Sequence, residues 1–247
     1  MTEEKLKFFE GVKFEECEYS GRRVKFPFCF IDLSRMSASF SAPANKLKGA
    51  LPTERLKPVE IKPGIAMVSF AGIEYREIDR LKPYNEFGVS MPVHYKREEN
   101  SQGLPGLYVF YLPVTTEEAR WGGVEFYGFP KFIAEISFEE AGEMRRCLLR
   151  AEGEDIITLE VKRLDTSLVY KDFYVYTVKE GQLLRTHVQT KGQSGTSSLP
   201  GDASYKLGNH HIAEGLQRLE IGGKAMQCSY SPKMQTMLHK PGQQLPI

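Results

Sequence analysis

Runs of β-branched and aromatic residues recur along the chain and predict many short strands. The predicted strands span residues 65–78, 88–95, 107–112, 156–163, 173–178 and 216–221. Glycines and prolines separate these runs, and such punctuation is typical of antiparallel sheets that close into a barrel or a sandwich. Phenylalanine and tyrosine are plentiful, which suits strands that line an enclosed space.

Helical signals are confined to three short segments. Residues 41–50 start with a serine cap and an early proline, which together favour a helix. In residues 115–121, Thr115 and Glu118 have capping-box spacing, and the two glycines that follow are expected to stop the helix. Residues 209–215 are predicted to add one turn.

Two segments have the composition of irregular structure. Residues 192–204 are rich in glycine and serine, which predicts a mobile loop. Because the strand composition is similar on both sides of this loop, we expect a single domain over residues 1–247. The tail at residues 240–247 is predicted to be disordered.

Composition and charge narrow the class of protein. A chain of 247 residues buries enough surface to fold without a disulfide or a metal. Its 41% hydrophobic and 26% charged residues exclude wholesale disorder, and a net charge of +1 predicts neither a nucleic acid nor a membrane as partner. The N-terminus lacks the pattern of a signal peptide, and no apolar run is long enough to span a membrane, so a cytoplasmic protein is expected.

Metal and cofactor motifs are missing from the sequence. The four cysteines are scattered and form no CxxC pair, which argues against a disulfide framework or a zinc cluster. His210 and His211 are adjacent, and neighbouring residues on a strand point to opposite faces, so they are not expected to chelate one ion. Motifs that cradle phosphates, bind protease zinc or form a nucleophile elbow are also missing, so we predict no metal site.

The segment 121–133, WGGVEFYGFPKFI, places one lysine among aromatic residues. Lys131 follows a proline that restricts the backbone, and lysine is rarely buried without a reason. If its side chain faces inward, burial favours the neutral amine that Schiff-base chemistry needs. The alternative is that the side chain extends from a strand end to solvent.

Two segments resemble the acetoacetate decarboxylase family. Residues 123–131, GVEFYGFPK, are similar to its Gly-Arg-Glu…Pro-Lys motif, whose lysine is the Schiff-base nucleophile. Residues 84–95, YNEFGVSMPVHY, are similar to the segment that supplies an active-site glutamate. The resemblance spans roughly residues 25–135 and implies that Lys131 is the nucleophile and that Glu86 is an acid/base group.

The chain departs from the family pattern at three positions. Phe132 replaces a second lysine that follows the nucleophile, and Val124 replaces the arginine of the motif. Ala71 falls where the family has a further glutamate, with Glu74 three residues on as a candidate substitute. Imine formation needs only the lysine and an apolar pocket, whereas decarboxylation also needs a placed carboxylate and a proton donor.

The resemblance also implies the fold and the surroundings of the lysine. It implies an α+β domain, mainly antiparallel β, with a barrel- or cone-like sheet that encloses an apolar pocket, and a homo-oligomer. An N-terminal arginine serves the family's site, and Arg22 and Arg23 are the nearby candidates. Resemblance and aromatic character give the candidate pocket-lining residues as Phe26, Phe70, Tyr111, Phe129 and Phe132.

Three functions are consistent with these residues. The first is a carboxy-lyase that decarboxylates a β-keto acid such as acetoacetate through an imine on Lys131. The second keeps the imine but performs aldol-type condensation, cleavage or dehydration of a 2-oxo acid, which Phe132 and Ala71 favour. The third is a non-catalytic protein that binds a small molecule on the same fold. The partner is a small keto acid or other carbonyl compound, and no cofactor is implied, because the lysine itself supplies the electron sink.

Overall fold

The computed structural model describes residues 8–19, 21–97 and 103–247 of the chain. In this described part, fifteen strands, three α-helices and one short 3₁₀ turn follow one another. The strands are β1 (Glu15–Tyr19), β2 (Arg22–Phe26), β3 (Phe28–Pro43), β4 (Leu56–Pro58), β5 (Ile65–Ile78), β6 (Tyr84–Tyr95), β7 (Leu104–Tyr111), β8 (Glu135–Ala141), β9 (Met144–Ala151), β10 (Glu154–Lys162), β11 (Ser167–Lys179), β12 (Gln182–Ser197), β13 (Ala203–Leu207), β14 (Ala225–Leu238) and β15 (Gln243–Leu245). The helices are α1 (Ala44–Gly49), α2 (Glu117–Tyr127) and α3 (His211–Gln217), and the 3₁₀ turn spans Pro200–Asp202.

The largest sheet curls into a ring. Its strands run in the order β11-β7-β6-β5-β3-β14-β12, and β11 also pairs with β12, which joins the two ends. The pairing of β11 with β7 is parallel, whereas the other pairings along the ring are antiparallel. The predicted fold class, α+β and mainly antiparallel β, is confirmed.

The ring has an outer and an inner face, because side chains alternate along each strand. A four-stranded sheet, in the order β13-β10-β9-β8, covers the outer face. The two sheets lie so close at Gly72 that a β-carbon there would come within 2.8 Å of Cys147 Sγ. The outer face is therefore a dry core, with Met36, Phe70 and Phe87 each 0% exposed.

Most predicted strands are confirmed, but residues 216–221 are not a strand. They form the end of α3 and the turn that follows it. His210 caps the helix, because its side chain accepts a hydrogen bond from the backbone N–H of Ile212. The buried positions Ile212, Ala213 and Leu216 then follow the helical repeat rather than the twofold repeat of a strand.

The expected loop at residues 192–204 is wrong for most of its length. β12 continues to Ser197, and its glycines mark close approaches rather than mobility. A β-carbon on Gly192 would lie 2.4 Å from the carbonyl oxygen of Lys233 on the neighbouring strand. The register also shifts between Gln193 and Gly195, so this glycine pattern belongs to a bulged strand.

The C-terminal tail is ordered, contrary to the prediction. Residues 243–245 form β15, which pairs with residues 183–185 of β12. Leu245 is 3% exposed within the outer-face core, and the Tyr95 hydroxyl donates a hydrogen bond to the carbonyl of Pro246. A buried leucine and a paired edge hold the segment in place despite its polar composition.

The helices begin and end somewhat differently from the prediction. α1 is shorter than residues 41–50, because β3 extends to Pro43. α2 is capped by Thr116, passes through both glycines and ends at Gly128, whose φ of 62° suits a left-handed C-cap. Among the described residues, no helix has the length and apolar character needed to cross a membrane.

Candidate active site

Backbone pairing around Val114 brings Lys131 and Glu86 together. Glu86 lies on the inner face of β6, and the segment after α2 returns alongside it. Val114 forms an antiparallel bridge with Glu86 and a parallel bridge with Ile133. The Val114 N–H donates to the Phe132 carbonyl, and the Ala134 N–H donates to the Val114 carbonyl, each at 3.0 Å. The distance between the two side chains is thus set by main-chain hydrogen bonds.

Lys131 and Glu86 form a buried ion pair. Lys131 Nζ donates to Glu86 Oε2 at 2.7 Å, and each side chain is 6% exposed. The hydroxyl of Tyr75, on the adjacent strand, donates to Glu86 Oε1 at 3.1 Å. Both carboxylate oxygens therefore have a donor, and the three groups form one hydrogen-bonded chain.

The stem of Lys131 packs against a helical glycine. A β-carbon on Gly123 would lie 2.4 Å from Lys131 Cδ and 2.5 Å from Cε, so only glycine leaves room for the stem. The rings of Tyr84 and Phe129 lie 5.5 Å and 5.7 Å from Nζ, within range of a cation–π contact. The amine is therefore held between α2 and two aromatic rings.

Burial acts strongly on the tyrosines of the site. It raises the pKa of Tyr75 well above its ordinary value, and the negative charge of Glu86 raises it further. Burial, followed by the charge of Glu86, also raises the pKa of Tyr84. Both phenols therefore keep their protons at physiological pH and can act as hydrogen-bond donors.

Lys131 borders a cavity of about 340 Å³ between the ring, the β1–β2 hairpin and α2. The walls are mainly aromatic and aliphatic, and Phe129 is one of the residues that line it. Phe26, which was also predicted to line the pocket, does not line this cavity. It lies behind the wall, where its ring contacts Phe28, Phe126 and Tyr127 at centroid distances of 5.5–5.9 Å.

Three predicted pocket-lining residues lie elsewhere. In the described structure, Phe70, Tyr111 and Phe132 do not line this cavity but pack with the outer-face core. Phe70 occupies an outward position on β5, and Phe132 points away from Lys131 because adjacent residues in extended chain face opposite sides. The expectation that they line the lysine's cavity is therefore corrected.

Glu74 does not replace the glutamate that the family has at Ala71. Ala71 is on the inner face, two residues from the pairing partner of Glu86, whereas Glu74 points outward. Its carboxylate accepts hydrogen bonds from Arg145 at 2.8 Å and Ser34 at 3.0 Å. Burial raises the pKa of Glu74, but these hydrogen bonds, together with the positive charges of Arg145 and Arg76, outweigh it, and the pKa is lowered overall.

The structure adds Arg35, which sequence reasoning missed. Arg35 pairs with Ile73, which in turn pairs with Glu86, so the three lie in one row on the inner face. Burial lowers the pKa of the Arg35 guanidinium, and the nearby Tyr75 opposes this effect. Among the described residues, no carboxylate or carbonyl accepts a hydrogen bond from it. The only signal in the sequence was its place at an inner position of β3.

The predicted N-terminal candidates, Arg22 and Arg23, lie at the rim of the cavity. Arg22 stacks over the ring of Trp121 at 4.4 Å from the centroid. Both arginines belong to β2, so they approach the site from the hairpin rather than from the ring. The chain therefore offers cations on two sides of Lys131, with Arg35 inside the ring.

A separate histidine cluster fits a metal poorly. The ligand atoms of Glu152, His210 and His211 all lie within 4.8 Å of one another. However, His210 Nδ1 accepts the hydrogen bond that caps α3, at 3.2 Å from the Ile212 nitrogen. The proton of the neutral ring then resides on Nε2, which faces Glu152 at 3.7 Å and has no free lone pair for an ion.

Known structures share the fold. An acetoacetate decarboxylase from Legionella pneumophila subsp. pneumophila str. Philadelphia 1 is 17% identical, with a TM-score of 0.66 over 89% of this chain and 87% of that chain. The enduracididine biosynthesis enzyme MppR, in complex with the condensation product of pyruvate and imidazole 4-carboxaldehyde, is 14% identical, with a TM-score of 0.62 over 87% of each chain. An acetoacetate decarboxylase-like enzyme from Sphingomonas wittichii RW1 is 13% identical, with a TM-score of 0.58 over 89% of this chain and 92% of that chain.

Sequence comparison identifies the family. No curated protein shows significant similarity to the chain. The family model described as Acetoacetate decarboxylase (ADC), however, matches residues 19–241, which include the segments of both Glu86 and Lys131. On this match, the chain belongs to the acetoacetate decarboxylase family.

Proposed function

We propose that the chain is a lyase that forms an imine between Lys131 and a small keto acid, most simply to decarboxylate a β-keto acid. The observation that carries the proposal is the buried Lys131–Glu86 contact of 2.7 Å, with Tyr75 on the other carboxylate oxygen. An amine and a carboxylate buried together, next to a cavity, have the arrangement that nucleophilic catalysis requires.

The pair supplies both the nucleophile and the proton carrier. Because Nζ already donates to Glu86 Oε2, one proton can pass along this hydrogen bond, which leaves a neutral amine for attack. The neutral amine then adds to the substrate carbonyl carbon. Glu86 returns the proton to the departing hydroxyl, which leaves as water, and a protonated imine remains.

The imine accepts the electron pair of the bond that breaks. In decarboxylation, the bond to the carboxylate carbon breaks, CO2 leaves, and its electron pair forms an enamine. One solvent proton, delivered through Glu86, is added to the enamine carbon. Water then hydrolyses the imine to release the ketone and regenerate the amine. Tyr75 holds Glu86 in place during both transfers.

Arg35 favours a second candidate, an aldol-type reaction on a 2-oxo acid. Its guanidinium has no anionic partner among the described residues, so it is suited to hold a carboxylate. An arginine that holds the substrate carboxylate suits a reaction that keeps this group, because decarboxylation converts the negatively charged carboxylate into neutral CO2. The similar MppR structure contains a condensation product of pyruvate, which is consistent with such a reaction on this fold.

Borohydride trapping tests the proposal and separates the two reactions. The protein is incubated with acetoacetate or with pyruvate, reduced, digested and analysed by mass spectrometry. We expect a reduced adduct on Lys131. An adduct that has lost the carboxylate supports decarboxylation, whereas an adduct that keeps it supports the aldol-type reaction.

Lys131→Arg is the matched control. Arginine keeps the positive charge beside Glu86 but forms no reducible imine, so the variant is expected to fold and to give no adduct. Equal adduct formation in the wild type and in this variant would show that Lys131 is not the nucleophile. Folding is checked by circular dichroism before each incubation.

A further inference from the structure

The cavity beside Lys131 is lined by both small and aromatic residues. Ala119, Gly122 and Gly123 line it from α2, and their spacing places them on one face of the helix. The aromatic lining residues include Trp121, Phe126 and Tyr127 of α2 and Phe28 and Phe30 of β3. We call this cavity the slot.

The slot is larger than a small keto acid requires. Its volume of about 340 Å³ lies in the range of pockets that enclose ligands of drug size, which starts at about 300 Å³. A compound such as acetoacetate fills only a small part of it. Because the walls are mainly apolar, an apolar group of the substrate gains free energy by displacing water from the remainder.

Of the groups in the hydrogen-bonded chain, Lys131 borders the slot, whereas Glu86 and Tyr75 do not line it. Lys131, Tyr84 and Phe129 line it together with the residues of α2 and β3. Arg35 lies on the inner face of the ring, in the row of Glu86, and is not one of the residues that line the slot. A substrate carbonyl at Lys131 can therefore place an anionic group inside the ring and an apolar group in the slot.

We propose that the substrate is a keto acid with an aryl or medium-length alkyl group on its carbonyl side, and that this group occupies the slot. The inference rests on the proposed imine at Lys131 and adds the substrate class. It applies to both candidate reactions, because each one places the carbonyl carbon at the same amine.

Paired substrates test the size of the group. Acetoacetate is compared with 3-oxo-3-phenylpropanoate, and pyruvate with 4-phenyl-2-oxobutanoate, by the rate of adduct formation on Lys131 at limiting substrate. We expect the phenyl compound of the reactive pair to form the adduct at least about tenfold faster, because its ring is buried. Equal rates, or a preference for the smaller compound, would overturn the inference.

Filling the slot tests its location. Ala119→Leu is expected to reduce the preference for the phenyl compound about tenfold or more, and Leu81→Trp, from the loop between β5 and β6, tests the same slot should the helix variant not fold. Ala141→Leu, on the hairpin of the four-stranded sheet, is the matched control and should keep the wild-type preference. An unchanged preference in both slot variants would overturn the inference.

The two proposals fail in different ways. If no compound forms an adduct on Lys131, the imine itself is refuted. If the small keto acids form the adduct and the phenyl compounds do so no faster, the imine stands and only the substrate class is refuted.

Discussion

Gly123→Ala displaces the Lys131 amine but replaces none of the groups that take part in the proposed reaction. The added β-carbon would lie 2.4 Å from Lys131 Cδ, 2.5 Å from Cε and 3.2 Å from Nζ. Because carbon atoms pack at about 3.5 Å, the stem must move by roughly 1 Å. The amine is the end of that stem, so its 2.7 Å contact with Glu86 changes as well.

The substitution is expected to change the stability little and the reaction rate strongly, and the two quantities are measured separately. Alanine is favoured over glycine inside a helix by about 1 kcal/mol, whereas overpacking costs about 1–3 kcal/mol, so the net change in the free energy of unfolding is small. Misplacement of a reacting group by about 1 Å slows a reaction by about 100-fold, which equals about 2.7 kcal/mol in the activation barrier. The rate should therefore fall far more than the stability.

The assay is single-turnover imine formation, followed by borohydride trapping, with urea unfolding on the same samples. Gly215→Ala is the matched control, since this glycine is also helical and its β-carbon would meet only Tyr111 Oη, at an ordinary 3.7 Å. The control should keep the wild-type rate. A folded Gly123→Ala protein that forms the imine at the wild-type rate would refute the role of this contact.

Three further changes have outcomes that follow from the structure. Tyr75→Phe removes a donor to Glu86 and should slow imine formation about tenfold and shift its pH–rate profile; an unchanged profile would contradict the hydrogen-bonded chain. The pKa of Glu74 is lowered on folding, so its stabilisation is present above the unfolded value and is lost as the pH falls through the folded value. Glu74→Gln should therefore reduce the free energy of unfolding near pH 7 by about 1 kcal/mol. It should also make the decrease of this free energy at acid pH less steep, as measured by urea unfolding against pH. Leu245→Ala should cost about 2–5 kcal/mol by the same method, whereas a disordered tail would give no change.

The strands were the part of the fold that the sequence predicted best. Residues 65–78 form β5 with the predicted bounds, because β-branched and aromatic residues recur along the run from its first residue to its last. The glycines of β12 predicted a loop where the structure has a strand, since a close approach between two backbones has the same composition as a loop. The buried Leu245 was missed because one apolar residue in a polar tail carries no periodic signal.

The site was predictable where a motif existed. Lys131 and Glu86 lie together in the structure, although the sequence alone contained no physical reason for their contact, which depends on the bridges of Val114. Phe70 and Phe132 were misplaced because aromatic character does not reveal which face of a strand is inward. Arg35 was missed because a single arginine within a strand is normally directed to solvent.

The packing of the ring against the second sheet buries the two faces of the ring to different degrees. Outer positions such as Phe40 and Phe70 are 0% exposed and carry the packing, while inner positions such as Ser69, Ile73 and Ser90 are only partly buried. Substitutions at these partly buried inner positions leave the dry core intact, so, on the proposed function, they are expected to change recognition at little expense in folding. A mutant library confined to the partly buried inner residues of β3, β5 and β6 would then sample new specificities while most of its members still fold.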